Sequence, residues 1–269
     1  MAISRSVALK QWQLFQLAVM FFTRIPVGQN VPYSSQLLSQ SSRYFALVGV
    51  VVAVAFLLTF QLAITVWPND VALLVAMIAS FLVTGGFHED GLADAADGIG
   101  GGMTIEKRLS IMKDSRIGTY GVLALFSIVL LKYQLLLALS ETTQLGWGFV
   151  ASVVLAHCLS RAIAGSLIYN TAYVAEQDTS KSKPLAERQS KTELVTLLCT
   201  GVLPLFFFIA STYFWSLVTT ILAVLVVFRF FARRWLIRQI GGITGDCLGA
   251  VQQIAEIIIY LVLLALISS

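Results

Sequence analysis

Charge is scarce in this 269-residue chain. Asp, Glu, Lys and Arg together make up 12% of it, about half the share usual in a soluble domain, while hydrophobic residues reach 58%. So few charges do not make a water-facing shell, and a mean hydropathy of +0.84 puts part of the surface in lipid. The same numbers exclude a disordered tail, a collagen-like repeat and a disulfide-stapled secreted module. Cysteine is almost as rare. Cys158, Cys199 and Cys247 are scattered with no Cys-x-x-Cys pair, which fits neither a zinc site nor a disulfide framework. The formal net charge of +4 says less than where the charges lie.

What is present is a series of long apolar runs. A membrane span needs about 20 mostly apolar residues, and seven candidates are found at 44–66, 71–87, 117–139, 148–169, 194–210, 213–231 and 251–267. The Trp67-Pro68-Asn69-Asp70 turn, with an aromatic interface marker, separates the first two. Gly201 and Pro204 interrupt the fifth. The basic residues cluster at 5–43, 107–116, 181–191 and 229–238, and seven spans put all four clusters on one side. The opposite loops, around Asp70, Glu141 and Ser211, carry no Lys or Arg. The positive-inside rule then orients the N-terminus and the charged loops to the cytoplasm. Residues 12–27 are apolar too, but Thr23-Arg24-Ile25-Pro26 breaks the run and no small-residue cleavage site follows. A spanning segment there would shift the charge alternation out of register, so it is expected to lie in the interface or to re-enter it. The expected fold class is all-α: a polytopic integral-membrane helical bundle of about seven transmembrane helices plus this N-terminal helix, forming a single domain over 1–269. Residues 171–192, polar and containing Pro184, read as a cytoplasmic loop.

Six of the 14 acidic residues fall between Glu89 and Asp114. Asp90, Asp94 and Asp97 are spaced i, i+4, i+7, which at about 100° per residue places them in a sector of roughly 60° on one helical face. Three stacked carboxylates repel one another. They directly follow an apolar span, at a depth where ionisable groups are costly and usually functional. An oxygen-only ligand set of this kind favours a hard cation such as Mg²⁺. The bland alternative is a solvated acidic face. His88 reads better as a hydrogen-bonded structural residue than as a ligand.

The acids lead into Gly98-Ile99-Gly100-Gly101-Gly102. This is no GxGxxG, since Met103 stands where the last glycine belongs, and no Walker lysine follows. Gly98, Gly100 and Gly101 read either as flexible backbone that approaches a diphosphate or as a hinge between two helices. Lys113 and Arg116 flank Asp114 at the mouth of the next span, a pattern expected of two phosphate clamps and one further metal ligand. Before the last span, the glycine-rich stretch 241–250 with Gly245 and Asp246 reads as a substrate-lining loop in preference to a plain turn. Arg161, one turn after His157 inside a span, demands a partner, either a carboxylate or a substrate phosphate. Lys132 is given no role beyond reaching for an interface. The set suggests phosphoryl-group transfer, in which two Mg²⁺ ions about 3.5–4 Å apart would clamp a diphosphate.

The sequence resembles the cobalamin synthase family along nearly its whole length. The resemblance rests on Phe22-Thr23-Arg24-Ile25-Pro26-Val27, on residues 85–98 and 108–121, on Ser160-Arg161, on residues 241–250 and on Glu256. It implies a multi-pass enzyme of the inner membrane, acting late in cobalamin assembly. That enzyme joins adenosylcobinamide-GDP to α-ribazole, or its 5′-phosphate, releases GMP and requires Mg²⁺. It also implies that Asp90, Asp94 and Asp97 bind Mg²⁺ with Asp114 or Asp246 completing the shell. Lys113, Arg116 and Arg161 would offset charge as the ribazole hydroxyl attacks, with Asp97 as general base. Glu89 stands where the family varies and is left out. Residues 173–191 depart from the family's usual loop, so contacts made there are not carried over. A phospholipid-forming CDP-alcohol phosphotransferase shares an aspartate cluster, but Asp94 stands where its motif has Arg. An ion-coupled transporter would spread its charges over midplane helices. Nothing points to nucleic acid. The charged loops leave room for a second copy of the chain or for other cobalamin-pathway enzymes.

Overall fold

The computed structural model describes residues 2–28, 31–174, 188–211 and 214–267. These are helical apart from short connecting turns and one isolated bridge between Tyr173 and Ile243. The helices are α1 (Ala2–Phe22), α2 (Ser35–Ser41), α3 (Phe45–Ala63), α4 (Asn69–Thr84), α5 (Phe87–Gly101), α6 (Ile105–Met112), α7 (Thr119–Thr142), α8 (Trp147–Ser166), α9 (Lys191–Val202), α10 (Phe214–Ile240) and α11 (Gly245–Ile267). Among the described residues, six helical stretches are long and apolar enough to cross a membrane: Ser35–Ala63, Thr119–Thr142, Trp147–Tyr169, Lys191–Phe208, Phe214–Ile240 and Gly245–Ile267. The pair α4 and α5 qualifies only as a bent unit, broken by 84°, and makes the seventh.

The membrane bundle with about seven crossings therefore agrees with the sequence reading, and the differences lie at helix ends. α10 continues to Ile240 rather than stopping near 231, because its arginines ride on one continuous helix. α11 starts at Gly245, so the expected substrate-lining loop shrinks to 241–244, and Asp246 stands in the first helical turn.

α8 is the hub. Residues 151–166 are all buried, including the polar His157, Ser160 and Arg161. Small residues let its neighbours approach closely: a Cβ at Gly49 of α3 would strike the His157 carbonyl, and one at Gly201 of α9 would strike Ala162.

The elbow between α4 and α5 rests on Gly85 and Gly86, both left-handed at φ 67° and 69°. It turns α5 across the end of the bundle, so that Asp90, Asp94 and Asp97 lie beyond the apolar stretch that α4 carries up to the elbow. The end of α1 clamps this elbow. Arg24 donates its backbone N–H to Val83 O (2.7 Å), and the Phe22 ring stacks on His88 and meets Phe87 edge-on at centroid distances of 5.7 and 5.3 Å. α1 also lies flat. Its Gln11 accepts from Tyr44 (2.7 Å) while Phe22, three turns on, packs against Phe45 at 4.3 Å. Contacts that far apart on α1 reach one level of α3, so α1 runs across the bundle end as one unbroken helix and does not re-enter.

Candidate active site at the charged end of the bundle

The same end gathers α5, α6 and the starts of α7 and α11. Glycine brings α5 and α11 into backbone contact: a Cβ on Gly91 would lie 3.0 Å from the Asp246 Cα, and one on Gly249 would lie 3.1 Å from the His88 carbonyl oxygen. That crossing sets Asp246 beside the acidic face of α5. Asp90 is exposed, Asp94 and Asp246 half-buried. Burial, then the negative charges of Asp90, Asp246 and Asp97, push the Asp94 carboxyl up to about 7. Among the described residues, none of Asp90, Asp94 and Asp246 carries an ion pair. Nor do any three Asp, Glu, His or Cys side chains among them already converge as a ligand shell. The donors are thus all carboxylate oxygens, unpaired and mutually repelling. Oxygen-only donors of this kind are the ligand type that hard cations prefer.

Asp97 is placed differently from its neighbours. It is 7% exposed, and its two oxygens accept from the backbone N–H groups of Gly118 (2.7 Å) and Gly121 (2.8 Å). It caps the start of α7, a service Gly118 cannot perform for itself. A Cβ at Gly118 would lie 2.5 Å from the Asp97 carboxylate, which explains the glycine there. Each Asp97 oxygen is thus engaged by one backbone amide of the α7 start, a structural task that Asp90 and Asp94 do not share.

The glycines after it are also reassigned. Gly98, Gly100 and Gly101 lie within α5 and form no open phosphate loop. A Cβ on Gly98 would collide with Met112, and one on Gly100 would lie 2.7 Å from the Tyr120 ring, so both are there for packing. Gly245, at the start of α11, keeps its place beside Asp246. Asp114 is likewise not brought to the acidic face. It accepts from Arg116 Nη2 at 2.6 Å and from Arg116 Nε at 3.0 Å, and this contact holds its carboxyl at about 2. Arg116 is 87% exposed at its side chain and sits on the rim. Lys113 caps the end of α6. Arg108 ties α6 to α10 by donating to Gln239 O (2.7 Å).

A second polar cluster lies deeper, and most of it escaped the sequence. Lys132 of α7 does not reach for an interface: it is 3% exposed and its Nζ lies 2.6 Å from Glu256 Oε1 of α11. Gln252 Nε2 donates to Glu256 Oε2 (2.8 Å) and to Ser160 Oγ (3.0 Å). Gln253 Nε2 donates to Glu89 Oε1 (2.9 Å), linking the cluster to α5. Arg161 belongs to this group rather than to the acidic face. Its Nη1 donates to the His157 carbonyl (2.8 Å), and His157 Nδ1 lies 3.7 Å from Glu256. The signal for Lys132 and Glu256 was available: opposite charges in two different spans imply a pair.

A family model described as cobalamin-5-phosphate synthase matches residues 14–264. The adenosylcobinamide-GDP ribazoletransferase of Vibrio cholerae is 51% identical over 255 residues, 95% of this chain and 94% of that protein. The protein of that name from Vibrio parahaemolyticus is 51% identical over 264 residues, 97% and 96% of the two chains. The one from Shewanella frigidimarina is 47% identical over 257 residues, 96% of each. No solved structure matches the chain. The chain belongs to the cobalamin-5-phosphate synthase family.

Proposed function

We propose that the chain joins adenosylcobinamide-GDP to α-ribazole or its 5′-phosphate and releases GMP, a late step of cobalamin assembly. The relatives' shared name supports the substrates. The observation that carries the chemistry is the set Asp90, Asp94 and Asp246, brought together at one end of a membrane bundle without cationic partners among the described residues.

In this reading the ribazole hydroxyl oxygen forms a bond to the phosphorus that carries the cobinamide arm. The anhydride bond to GMP breaks, and the hydroxyl proton passes to water. Phosphoryl transfer of this type has a loose transition state and asks for positioning and charge neutralisation more than for a strong base, so no general base is needed, Asp97 included. An all-carboxylate set fits Mg²⁺, which when bound would neutralise the diphosphate and the departing GMP. Asp90, Asp94 and Asp246 would hold it. Asp97 fixes the start of α7, and with it the Asp114–Arg116 rim, against the acidic helix. Arg116, exposed on the rim, would exchange its pairing with Asp114 for a bound phosphate. Arg161 and the Lys132–Glu256 pair set the depth of α11 and therefore of Asp246.

Family membership sets aside the phospholipid and transporter readings. The basic clusters 107–116 and 229–238 meet at the site's end of the bundle through Arg108 and Gln239, an end that the positive-inside rule assigns to the cytoplasmic side of the inner membrane. The polar loop expected over 171–192, with its basic cluster, falls mostly outside the described residues. Proteoliposomes supplied with adenosylcobinamide-GDP and α-ribazole should yield equal amounts of GMP and a coupled corrinoid. Turnover of a CDP-alcohol in their place would overturn the assignment.

A further inference from the structure

The face of α5 opposite the acids carries Leu92, Ala95, Ala96 and Ile99, roughly half a turn from Asp90 and Asp94. Between this face, α10 and α11 lies an open cleft of about 820 Å³. Its lining is largely apolar, with Ala95, Ala96, Val251 and Phe228 among the residues that face it. Its mouth is not. Arg234 and Arg238, one turn apart on α10, line it toward the charged end, with Trp235 between them.

The four arginines of α10 divide cleanly. Arg229 and Arg233 are bound to the end of α8: Arg229 Nε donates to Ser166 Oγ (2.6 Å), and Arg233 Nη2 donates to Asn170 O (2.7 Å). Arg234 and Arg238 are exposed, and neither pairs with a carboxylate among the described residues. Arg234 instead lies over the Phe230 ring at 5.5 Å. A cleft that is apolar along most of its lining and doubly cationic at the headgroup level, flanked by an interfacial tryptophan, has the polarity profile of one amphiphile with an anionic head. A zwitterionic headgroup would leave the two guanidiniums without a net counter-charge.

We propose that this cleft is a binding site for a single anionic phospholipid, its acyl chain between α5, α10 and α11 and its phosphate held by Arg234 and Arg238. The site backs onto the acidic helix without sharing its ligands, so it stands whether or not the transfer reaction proposed above is correct.

The test uses the full-length protein in vesicles of phosphatidylcholine doped with a trace of photoactivatable lipid, either phosphatidylglycerol or phosphatidylcholine, with labelled peptides identified by mass spectrometry. Phosphatidylglycerol should label α5, α10 or α11 cleft residues well above phosphatidylcholine. Each arginine should be responsible for about a fivefold difference, so Arg234→Gln with Arg238→Gln should remove most of the preference, while Lys107→Gln at the same end should leave it intact. Ala96→Leu, which narrows the cleft, should lower labelling by both lipids. Equal labelling of the unaltered protein by the two lipids would overturn the proposal, as would a preference that survives loss of both arginines. Displacement of the label by adenosylcobinamide-GDP would also overturn it, by giving the cleft to the substrate.

Discussion

Lys132 and Glu256 meet at 2.6 Å in the interior, 3% and 1% exposed, with Gln252 and His157 around them. Asp90, Asp94 and Asp246 sit at the end of the same bundle, and the described residues supply them no ion pair. Both groups are costly to keep near lipid, but among the described residues only the first is neutralised by the protein itself. The difference separates architecture from chemistry. A charge already matched inside the fold holds helices in place. A cluster left unmatched at a surface is open to a ligand of opposite sign.

The sharpest way to break this contrast is to remove one member from each group. Asp90→Ala or Asp94→Ala should lower GMP release by about 10³-fold, with membrane abundance and melting temperature essentially unchanged. Lys132→Met should do the reverse. It leaves Glu256 buried without its cation, which costs about 3–5 kcal/mol and should show as loss of folded protein in the membrane. Lys132→Leu with Glu256→Leu together should regain most of that stability. An active, stable Lys132→Met protein would erase the distinction.

Asp97 tests the boundary between the groups. Asp97→Asn retains one acceptor for the α7 amides and should keep the protein folded with activity reduced about 10–100-fold, far less than at Asp90. A loss equal to that at Asp90 would restore it to the reacting groups. pH sharpens the picture further. Because the folded Asp94 carboxyl is raised to about 7, the metal-free protein holds that proton below about 7 and loses stability as pH climbs from its ordinary value of about 4. A cation must displace the proton, so Mg²⁺ affinity measured by calorimetry should rise with pH up to about 7, by at most about tenfold per unit, and level off above. Asp94→Asn should flatten that profile. The smallest effect belongs to the rim. Asp114→Asn breaks only an exposed pair and should change turnover by less than about threefold.

Apolar runs made the crossings legible, and the i, i+4, i+7 spacing made the acidic face legible, because both are properties of a single helix. What stayed hidden depends on contacts between helices. Asp97 shares the spacing of Asp90 and Asp94, but only the approach of Gly118 and Gly121 shows that it caps α7. Gly98 and Gly100 read as a loop because their need for closeness comes from Met112 and Tyr120, many residues away. Arg161 announced that it needed a partner, and while His157 is one turn away on its own helix, only the crossing of α8 with α11 brings Glu256 into the same cluster.

The central claim is that divalent cations complete the acidic face during phosphoryl transfer. It is tested most directly by the rate of GMP formation in proteoliposomes over a series of free Mg²⁺ concentrations. The account predicts a saturable dependence that chelator abolishes, readdition restores and Asp94→Ala lacks. GMP formation that continues undiminished in excess chelator would contradict it.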